Sequence, residues 1–255
     1  MLPALSVVIP AFNEAKRIGE TLRATIDYLC ANSPQSELIV VNDGSTDGTS
    51  EVVRNVFANE TALPVLLLDH SVNRGKGAVV REGLLSANKP IAVFSDADLS
   101  TPMTELPKIV EPVAAGDADL VFGSRALDRT LIGNRQPWRR EQGGRVYNLL
   151  VRIATGLPFW DTQCGFKAFR MAVCRQIIAA GKVNGFGFDV ELLLLAQRAG
   201  LRLREVPVRW NHCGGSKVHF VQDSVRMLRE VLTLRRSQHG SEQSFNVQEG
   251  IEHSE

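Results

Sequence analysis

Short apolar, β-branched runs alternate with longer helical patterns through the first half of the chain. Each of these runs is mostly apolar throughout rather than alternating, which is typical of strands buried on both faces of a parallel sheet. The predicted strands cover residues 5–10, 37–41, 64–68, 91–95 and 119–122. The helices predicted between them cover residues 16–30, 50–59, 77–87 and 103–115. This alternation predicts an α/β fold with a doubly wound, mostly parallel sheet.

The pattern changes near Gly133. A basic, helix-compatible stretch over residues 135–155 leads into an apolar and aromatic Leu-Pro-Phe-Trp at 157–160. Two further helices and one strand follow, predicted at residues 171–180, 189–199 and 204–210.

The end of the chain divides into two parts. Residues 218–236 repeat apolar side chains at helical spacing with arginines between them, which predicts an amphipathic helix. Residues 237–255 are polar and aperiodic, so we expect a disordered tail there. No internal repeat is found, and one domain is predicted over residues 1–236.

Composition and charge exclude several classes of protein. The chain has 255 residues, of which 44% are hydrophobic and 22% charged, so it can bury a substantial core. Intrinsic disorder, collagen and disulfide scaffolds do not fit these values. The 29 basic and 28 acidic residues give a net charge of +1, which argues against a nucleic-acid partner.

Cysteine and hydropathy patterns bear on the compartment. The four cysteines are far apart in the sequence, which favours a reduced, cytoplasmic setting and argues against a structural zinc site. We interpret Cys164 as a packed residue rather than a nucleophile, and His212 has no ligand spacing. No apolar run approaches the roughly 18 residues that span a bilayer. The protein is therefore expected to be soluble or to lie on a membrane surface.

Polar loops follow the first, second and fourth predicted strands. They contain Asn13-Glu14, the sequence NDGSTDGT from Asn42, and the sequence SDADLS from Ser95. The carboxyl ends of parallel strands meet at one edge of a sheet, so these carboxylates are expected to share one cleft. Two carboxylates in the Asp96-Ala97-Asp98 spacing can hold Mg²⁺ or Mn²⁺ against a diphosphate. The alternative is a set of solvated turns in which Ser or Thr caps the next helix.

The order of these motifs carries a family resemblance. SVVIPAFNE, IVVNDGSTDGT, NRGKGAVVREG and FSDADLSTP resemble inverting family-2 glycosyltransferases of the GT-A fold. In the second half, FGSR, WRREQGGRVYN, DTQCGFKAFR, FGFDVELL and a late GGSK resemble dolichyl-phosphate β-glucosyltransferases, and bacterial polyprenyl-phosphate hexosyltransferases share this pattern. The similarity covers about residues 5–234. It implies a nucleotide-sugar-binding half over 1–125 and an acceptor half over 126–236.

The resemblance also implies roles on the donor side. Three residues at the end of the first strand and just beyond it would line the nucleotide pocket, and Asp43 would bind the base. Lys76 would lie near the nucleotide. Asp96 would sit by the ribose and the metal, and Asp98 would ligate the metal. The residues implied to line the nucleotide pocket are Pro10, Phe12 and Glu14.

Basic residues are implied on the phosphates. Arg125 and Arg140 match arginines that related mannosyl enzymes place on the donor and acceptor phosphates, with Arg139 and Arg145 as competitors for the second role. A solvated basic helix face is the alternative for these arginines. Three further residues lie in motifs that face the acceptor side in the family, and Asp189 has an alternative role as the N-cap of its helix. These three are Gln163, Asp189 and Lys217.

The implied reaction is transfer of glucose from UDP-glucose to a polyprenyl or dolichyl-type monophosphate, with inversion. A phosphate oxygen is already a nucleophile at neutral pH, whereas a sugar hydroxyl needs a general base. Many hydroxyl-using relatives carry Glu-Asp where this chain has Phe188-Asp189, which favours a phosphate acceptor. A saccharide or soluble acceptor is the alternative, and a non-catalytic nucleotide-sugar-binding protein is a further one. A dehydrogenase is disfavoured because no GxGxxG follows the first strand.

Access to a lipid acceptor is expected from the membrane surface. The eukaryotic glucosyl enzymes begin with a membrane-spanning segment, and none is expected here, so attachment would be peripheral, on the cytoplasmic face. Residues 157–160 and the apolar face of 218–236 would rest among the headgroups. The alternative is that both segments pack on the core or on a partner subunit. A homodimer is therefore also a possible assembly.

Overall fold

The computed structural model describes residues 1–134 and 138–213, and for residues 138–141 and 147 it describes the backbone alone. The strands are β1 (Leu5–Ala11), β2 (Glu37–Asp43), β3 (Val65–His70), β4 (Ile91–Ser95), β5 (Leu120–Ser124), β6 (Phe166–Arg170) and β7 (Leu203–Pro207). The helices are α1 (Ile18–Asn32), α2 (Thr49–Ala58), α3 (Lys76–Leu85), α4 (Leu106–Ala114), α5 (Trp138–Thr155), α6 (Met171–Ala180) and α7 (Phe188–Arg198).

All seven strands form one sheet in the order β3-β2-β1-β4-β6-β5-β7. β6 is antiparallel to both of its neighbours, β4 and β5, whereas the other pairs are parallel. The carboxyl ends of six strands therefore lie at one edge of the sheet, together with the amino end of β6. We call this edge the carboxyl edge.

Two apolar cores lie on opposite faces of the sheet. On one face, side chains of α3, α6 and α7 pack against Phe94, Phe122 and Phe169. On the other, side chains of α1, α2 and α4 pack against Ile9, Val93 and neighbours from the same strands. The β-branched strand residues are buried from both sides, which is why their sequences are continuously apolar. The predicted doubly wound α/β fold is confirmed.

The observed elements depart from the predicted ones in three places. Strand β6 is absent from the predicted elements. The strand predicted over 204–210 ends at Pro207, although Trp210 still forms an isolated bridge with Ile132. The helix predicted over 103–115 divides into a 3₁₀ turn (Met103–Glu105) and α4. The helix predicted over 218–236, the tail over 237–255 and Lys217 lie outside the described residues.

Within the part of the chain that the structure describes, every helix is too short or too polar to cross a bilayer.

Asp119 joins the starts of β5 and β7 to the end of β6. Its carboxylate accepts hydrogen bonds from the backbone N–H of Arg202 at 2.9 Å and from the Arg202 guanidinium at 3.1 Å, and it also contacts Arg170. These bonds lower the pKa of Asp119 to about 2.

A low pH should therefore reduce the free energy of unfolding, because Asp119 becomes protonated. Its folded pKa lies below the unfolded value of about 3.9, so its contribution is complete above pH ~4 and is lost as the pH falls toward 2. We expect Asp119→Asn to be less stable near pH 7 and to lose less further stability between pH ~4 and ~2 than the wild type. Urea unfolding at these pH values measures both effects. If the free energies of unfolding of the two proteins changed equally with pH, the prediction would be contradicted.

Candidate active site at the carboxyl edge

The loops that follow β1 and β2 are joined to each other. The backbone N–H of Glu14 donates to Thr49 Oγ1 at 2.7 Å, and the side chain of Asn13, a residue with positive φ, accepts from the Thr46 N–H at 2.8 Å. Pro10 is buried within β1, and Phe12 is exposed just beyond it. The Glu14 carboxylate forms an ion pair with Arg17. The three residues expected at a nucleotide pocket thus lie at the carboxyl edge.

Asp43 is buried at the end of β2 and anchors the segment before α3. Its carboxylate accepts from the backbone N–H groups of Arg74 at 2.6 Å and Gly75 at 3.1 Å. Burial raises the pKa of Asp43 although these bonds act in the opposite direction. Gly44 follows with φ of +71°, and a Cβ there would lie 2.5 Å from the Val72 carbonyl carbon, so only glycine fits. A carboxylate has about four acceptor positions, so these two bonds leave capacity for a ligand.

Lys76 begins α3 and lies against Asp96. Its ammonium nitrogen is 2.7 Å from Asp96 Oδ1 and 5.3 Å from the centroid of the Phe94 ring. Burial alone would lower the pKa of Lys76, but the nearby Asp96 and Asp189 carboxylates raise it above the ordinary value. Lys76 is therefore a cation held at the carboxyl edge, and it neutralises much of the charge of Asp96.

The Asp96 carboxylate also packs on the loop before β6. Its backbone N–H donates to the Gly165 carbonyl at 3.0 Å, and a Cβ on Gly165 would lie 1.9 Å from Asp96 Oδ2. Any other residue at position 165 would displace this carboxylate. The loop of DTQCGFK is thereby fixed against the DAD motif.

Asp98 is half-buried in the turn after β4. Its Oδ1 accepts from the Ser100 N–H at 2.9 Å, and Leu99 between them has φ of +47°. Among the described residues, no three His, Cys, Asp or Glu side chains cluster as a metal site. Asp96 and Asp98 are nevertheless the oxygen donors that Mg²⁺ and Mn²⁺ take, and such ions are often held by one or two carboxylates plus phosphate oxygens. With Asp96 paired to Lys76, Asp98 is the carboxylate better suited to ligate a cation.

A buried ion pair between Lys167 and Asp189 lies in the interior next to the site. Lys167, the second residue of β6, has no exposed surface; its ammonium nitrogen is 2.6 Å from Asp189 Oδ1 and donates to the Cys164 carbonyl at 2.5 Å. Burial raises the pKa of Asp189, against the opposing effect of Lys167 and Lys76.

The sequence predicts that Asp189 lies in a motif facing the acceptor side, with the N-cap of its helix as the alternative. The carboxylate is buried and paired with Lys167. The N-cap alternative is wrong, since α7 begins at Phe188 and its N-cap residue is Gly187. Lys167 is not among the site residues that the sequence predicts. The signal was present, as a lysine inside the apolar FKAF, where a buried lysine needs a carboxylate partner.

Arg125 follows β5 and forms a bidentate ion pair. Its Nε is 2.6 Å and its Nη2 2.8 Å from the two carboxylate oxygens of Asp161, and its backbone N–H donates to the same group at 3.0 Å. Burial alone would lower the pKa of Arg125, but the Asp161 carboxylate raises it above the ordinary value, so the guanidinium stays charged. This pair uses two of five guanidinium N–H donors and fixes the direction of the others. Arg125 lies 5.7 Å from the Trp210 ring.

A cavity of about 460 Å³ opens beside this pair, between α5 and the segments that follow β5 and β7. Its lining combines several arginines with two tryptophans and some apolar groups. The Arg152 guanidinium lies 3.9 Å from the centroid of the Trp160 ring, at the cavity wall. The residues that define its character are Arg125, Arg129, Arg145, Arg152, Trp160 and Trp210.

The structure describes the side chains of only some residues that the sequence predicts on the acceptor side. Arg145 lines the cavity. Arg139 and Arg140 lie on α5, but their side chains are outside the described residues, as is the whole of Lys217. The backbone N–H of Gln163 donates to Asp161 at 3.3 Å, which places Gln163 in the loop beside the cavity.

Cys164 is buried among these groups. Burial raises the pKa of its thiol to about 12, and that of Cys174 likewise to about 12. Since only the thiolate is reactive, we expect neither cysteine to be alkylated by iodoacetamide in the native protein near pH 8. Peptide mass spectrometry before and after urea denaturation measures this. Native labelling of Cys164 as fast as that of the partly exposed Cys213 would show that it is accessible.

Comparisons with known proteins show the family of the chain. The model of the family described as glycosyl transferase family 2 matches residues 6–178. Glycosyltransferase AglD of Haloferax volcanii is 36% identical over 89% of this chain, which spans only 36% of that protein. A dolichyl-phosphate β-glucosyltransferase of Drosophila melanogaster is 36% identical over 84% of the chain and 69% of its own length. Another, ALG5A of Trichomonas vaginalis, is 32% identical over 90% of the chain and 72% of its own length.

Solved structures show the same fold at lower identity. Glucosyl-3-phosphoglycerate synthase from Mycobacterium tuberculosis, in complex with Mn²⁺, UDP-glucose and glycerol 3-phosphate, superposes with a TM-score of 0.64 at 22% identity. The match covers 94% of this chain and 82% of that one. The predicted GT-A fold is confirmed. With more than half of its length matched by the family model, the chain belongs to glycosyl transferase family 2.

Proposed function

We propose that this protein transfers glucose from UDP-glucose, with inversion, to the phosphate of a polyprenyl or dolichyl-type monophosphate, at the cytoplasmic face of a membrane. The dolichyl-phosphate β-glucosyltransferases named above support the acceptor and the sugar. The observation that carries the proposal is the pairing of two sites at one sheet edge. The Asp96–Asp98 carboxylates lie at the end of β4, and the arginine-lined cavity lies beyond β5.

This pairing suits a reaction between two anions. The donor carries a diphosphate, and the acceptor carries a monophosphate of charge about −1.5 to −2. The two repel unless cations lie near them. Arg125 is held charged by Asp161, and Arg145 and Arg152 add two further guanidinium groups at the cavity wall. Arginine binds phosphate bidentately, so the cavity is suited to the acceptor headgroup.

The donor side would use the first half of the chain. Asp43 would accept from the base and Lys76 would lie on the diphosphate. Asp98, with Asp96, would hold Mg²⁺ or Mn²⁺. When bound, such an ion stabilises the negative charge that develops on the departing diphosphate.

The chemistry is a single displacement. An oxygen of the acceptor phosphate forms a bond to the sugar C1 while the bond from C1 to the UDP oxygen breaks, and UDP leaves with the bonding electrons. Because the attacking oxygen is already anionic near pH 7, no proton has to be removed. The buried position of the Asp189 carboxylate, paired with Lys167, is consistent with a reaction that needs no exposed base.

The test is a product assay with purified protein, UDP-glucose and Mn²⁺. We expect a β-glucosyl phospholipid from a polyprenyl phosphate in detergent, and loss of product on addition of EDTA. Glycerol phosphate and a simple saccharide serve as soluble acceptor controls. Product from a soluble acceptor alone, or no product from any polyprenyl phosphate, would overturn the lipid acceptor.

A further inference from the structure

Helix α5 turns an apolar stripe to solvent. Val146, Leu149, Leu150 and Ile153 recur at i, i+3, i+4 and i+7, which places them on one face of the helix. Their exposed fractions range from 42% for Leu150 to 70% for Ile153, whereas Val151 is fully buried. Apolar side chains in such a contiguous exposed patch usually mark a binding surface.

Trp160 extends this stripe beyond the end of the helix. Its ring is 55% exposed and packs on the Arg152 guanidinium at 3.9 Å. Its position is fixed, because its backbone N–H and that of Asp161 donate to the two oxygens of Glu205 at 2.9 and 2.8 Å. We call Val146, Leu149, Leu150, Ile153 and Trp160 together the α5 stripe.

The border of the α5 stripe is basic. Arg145 and Arg152 flank it, and the sequence from 142 to 160 contains no Asp or Glu. An aromatic residue with an apolar body, bordered by arginines, is the composition of surfaces that rest among lipid headgroups.

We propose that the α5 stripe is a membrane-docking surface for a bilayer that contains anionic lipids. Charge favours a bilayer on this surface over two other occupants, residues 218–236 and a second copy of the chain. Residues 218–236 carry four arginines and two acidic residues, so they are themselves basic and would be repelled by Arg145 and Arg152. A second copy packed face to face would bring the same arginines together. Anionic phosphates complement them.

The surface is continuous with the cavity. Leu149, Arg152 and Trp160 belong both to the stripe or its border and to the cavity wall. If the proposed function holds, on which this step alone rests, an acceptor phosphate could enter the cavity while its hydrocarbon chain remains in the bilayer. The docking geometry would then present lipid phosphates to Arg125.

Vesicle co-sedimentation of the full chain tests the surface independently of activity. We expect the wild type to bind phosphatidylglycerol-rich vesicles and to bind pure phosphatidylcholine more weakly. The triple variant Val146→Gln, Leu150→Gln, Ile153→Gln should lose about tenfold in partitioning, since it removes apolar groups that enter the interface. The control is Leu66→Gln with Val72→Gln, two exposed apolar residues at and beyond the opposite edge strand, β3, which should bind as the wild type does.

An activity arm separates this proposal from the proposed function. The triple variant should glucosylate a short, water-soluble isoprenyl phosphate at the wild-type rate and a vesicle-embedded polyprenyl phosphate at least about tenfold more slowly. Absence of any glucosylation by the wild type would refute the proposed function and leave the vesicle result standing. If the wild type does not bind vesicles, the proposal of a docking surface is overturned. This holds whether a second copy or residues 214–255 cover the α5 stripe. Equal loss in the triple and control variants overturns it as well.

Discussion

Asp98→Asn is expected to lower kcat with UDP-glucose and Mn²⁺ by about a hundredfold or more, with the fold unchanged. The amide oxygen can still accept the hydrogen bond from the Ser100 N–H that Asp98 Oδ1 accepts at 2.9 Å, so the turn after β4 keeps its conformation. The variant loses the negative charge that we propose ligates the cation. Initial rates across a range of Mn²⁺ concentrations, with circular dichroism as the check on folding, measure the effect.

The matched control is Asp128→Asn. Asp128 makes the same local contact, with its Oδ1 accepting from the Thr130 N–H at 3.0 Å, in an exposed turn. Its variant should keep kcat within about twofold, since surface substitutions away from a site have small effects. If Asp98→Asn kept Mn²⁺-dependent turnover near the wild-type rate, Asp98 would not be the metal ligand.

Lys167→Met is expected to cost about 3–5 kcal/mol in the free energy of unfolding near pH 7. The substitution leaves the Asp189 carboxylate buried without the ammonium that lies 2.6 Å from it. Burial already raises the pKa of Asp189, and the variant loses the cation that opposes this shift. With its folded pKa above the unfolded value, Asp189 takes up protons on folding, so the deficit should grow as the pH rises from about 4 toward 7. Urea unfolding over that range measures it.

Two further variants show whether the loss comes from the unpaired charge. Lys167→Met with Asp189→Leu replaces both partners by apolar groups and should recover most of the stability. Arg204→Met removes one member of the ion pair with Asp117, in which both side chains are exposed, and this should cost no more than about 1 kcal/mol. A double variant as unstable as Lys167→Met would mean that packing, and not charge, accounts for the deficit.

The first half of the fold could be predicted because its strands are mostly apolar. Four of the five are buried on both faces, β3 at the edge is partly exposed, and each predicted range overlaps the observed strand. The same parallel arrangement brings Asp43, Asp96 and Asp98 to one edge, so the placement of these carboxylates follows from strand order.

Strand β6 could not be predicted in the same way. Its five residues contain Lys167, whose burial depends on Asp189, 22 positions later and on a different element. Local periodicity carries no information on such a pairing. Arg125 is a similar case, since the family pattern assigns it to a phosphate while its bidentate bond to Asp161 depends on the loop before β6. The α5 stripe also escaped prediction, because helical spacing does not tell which face of a helix is turned inward.

The reversed strand has a consequence for synthesis of the protein. β6 lies between β4 and β5, so β4 keeps an open edge until Arg170 has left the ribosome. A nascent chain that stops near residue 125 would present unpaired amide and carbonyl groups of β4, which are a template for association with other chains. The N-terminal half should therefore aggregate when expressed alone, and translation pauses would be better tolerated after residue 170 than before it.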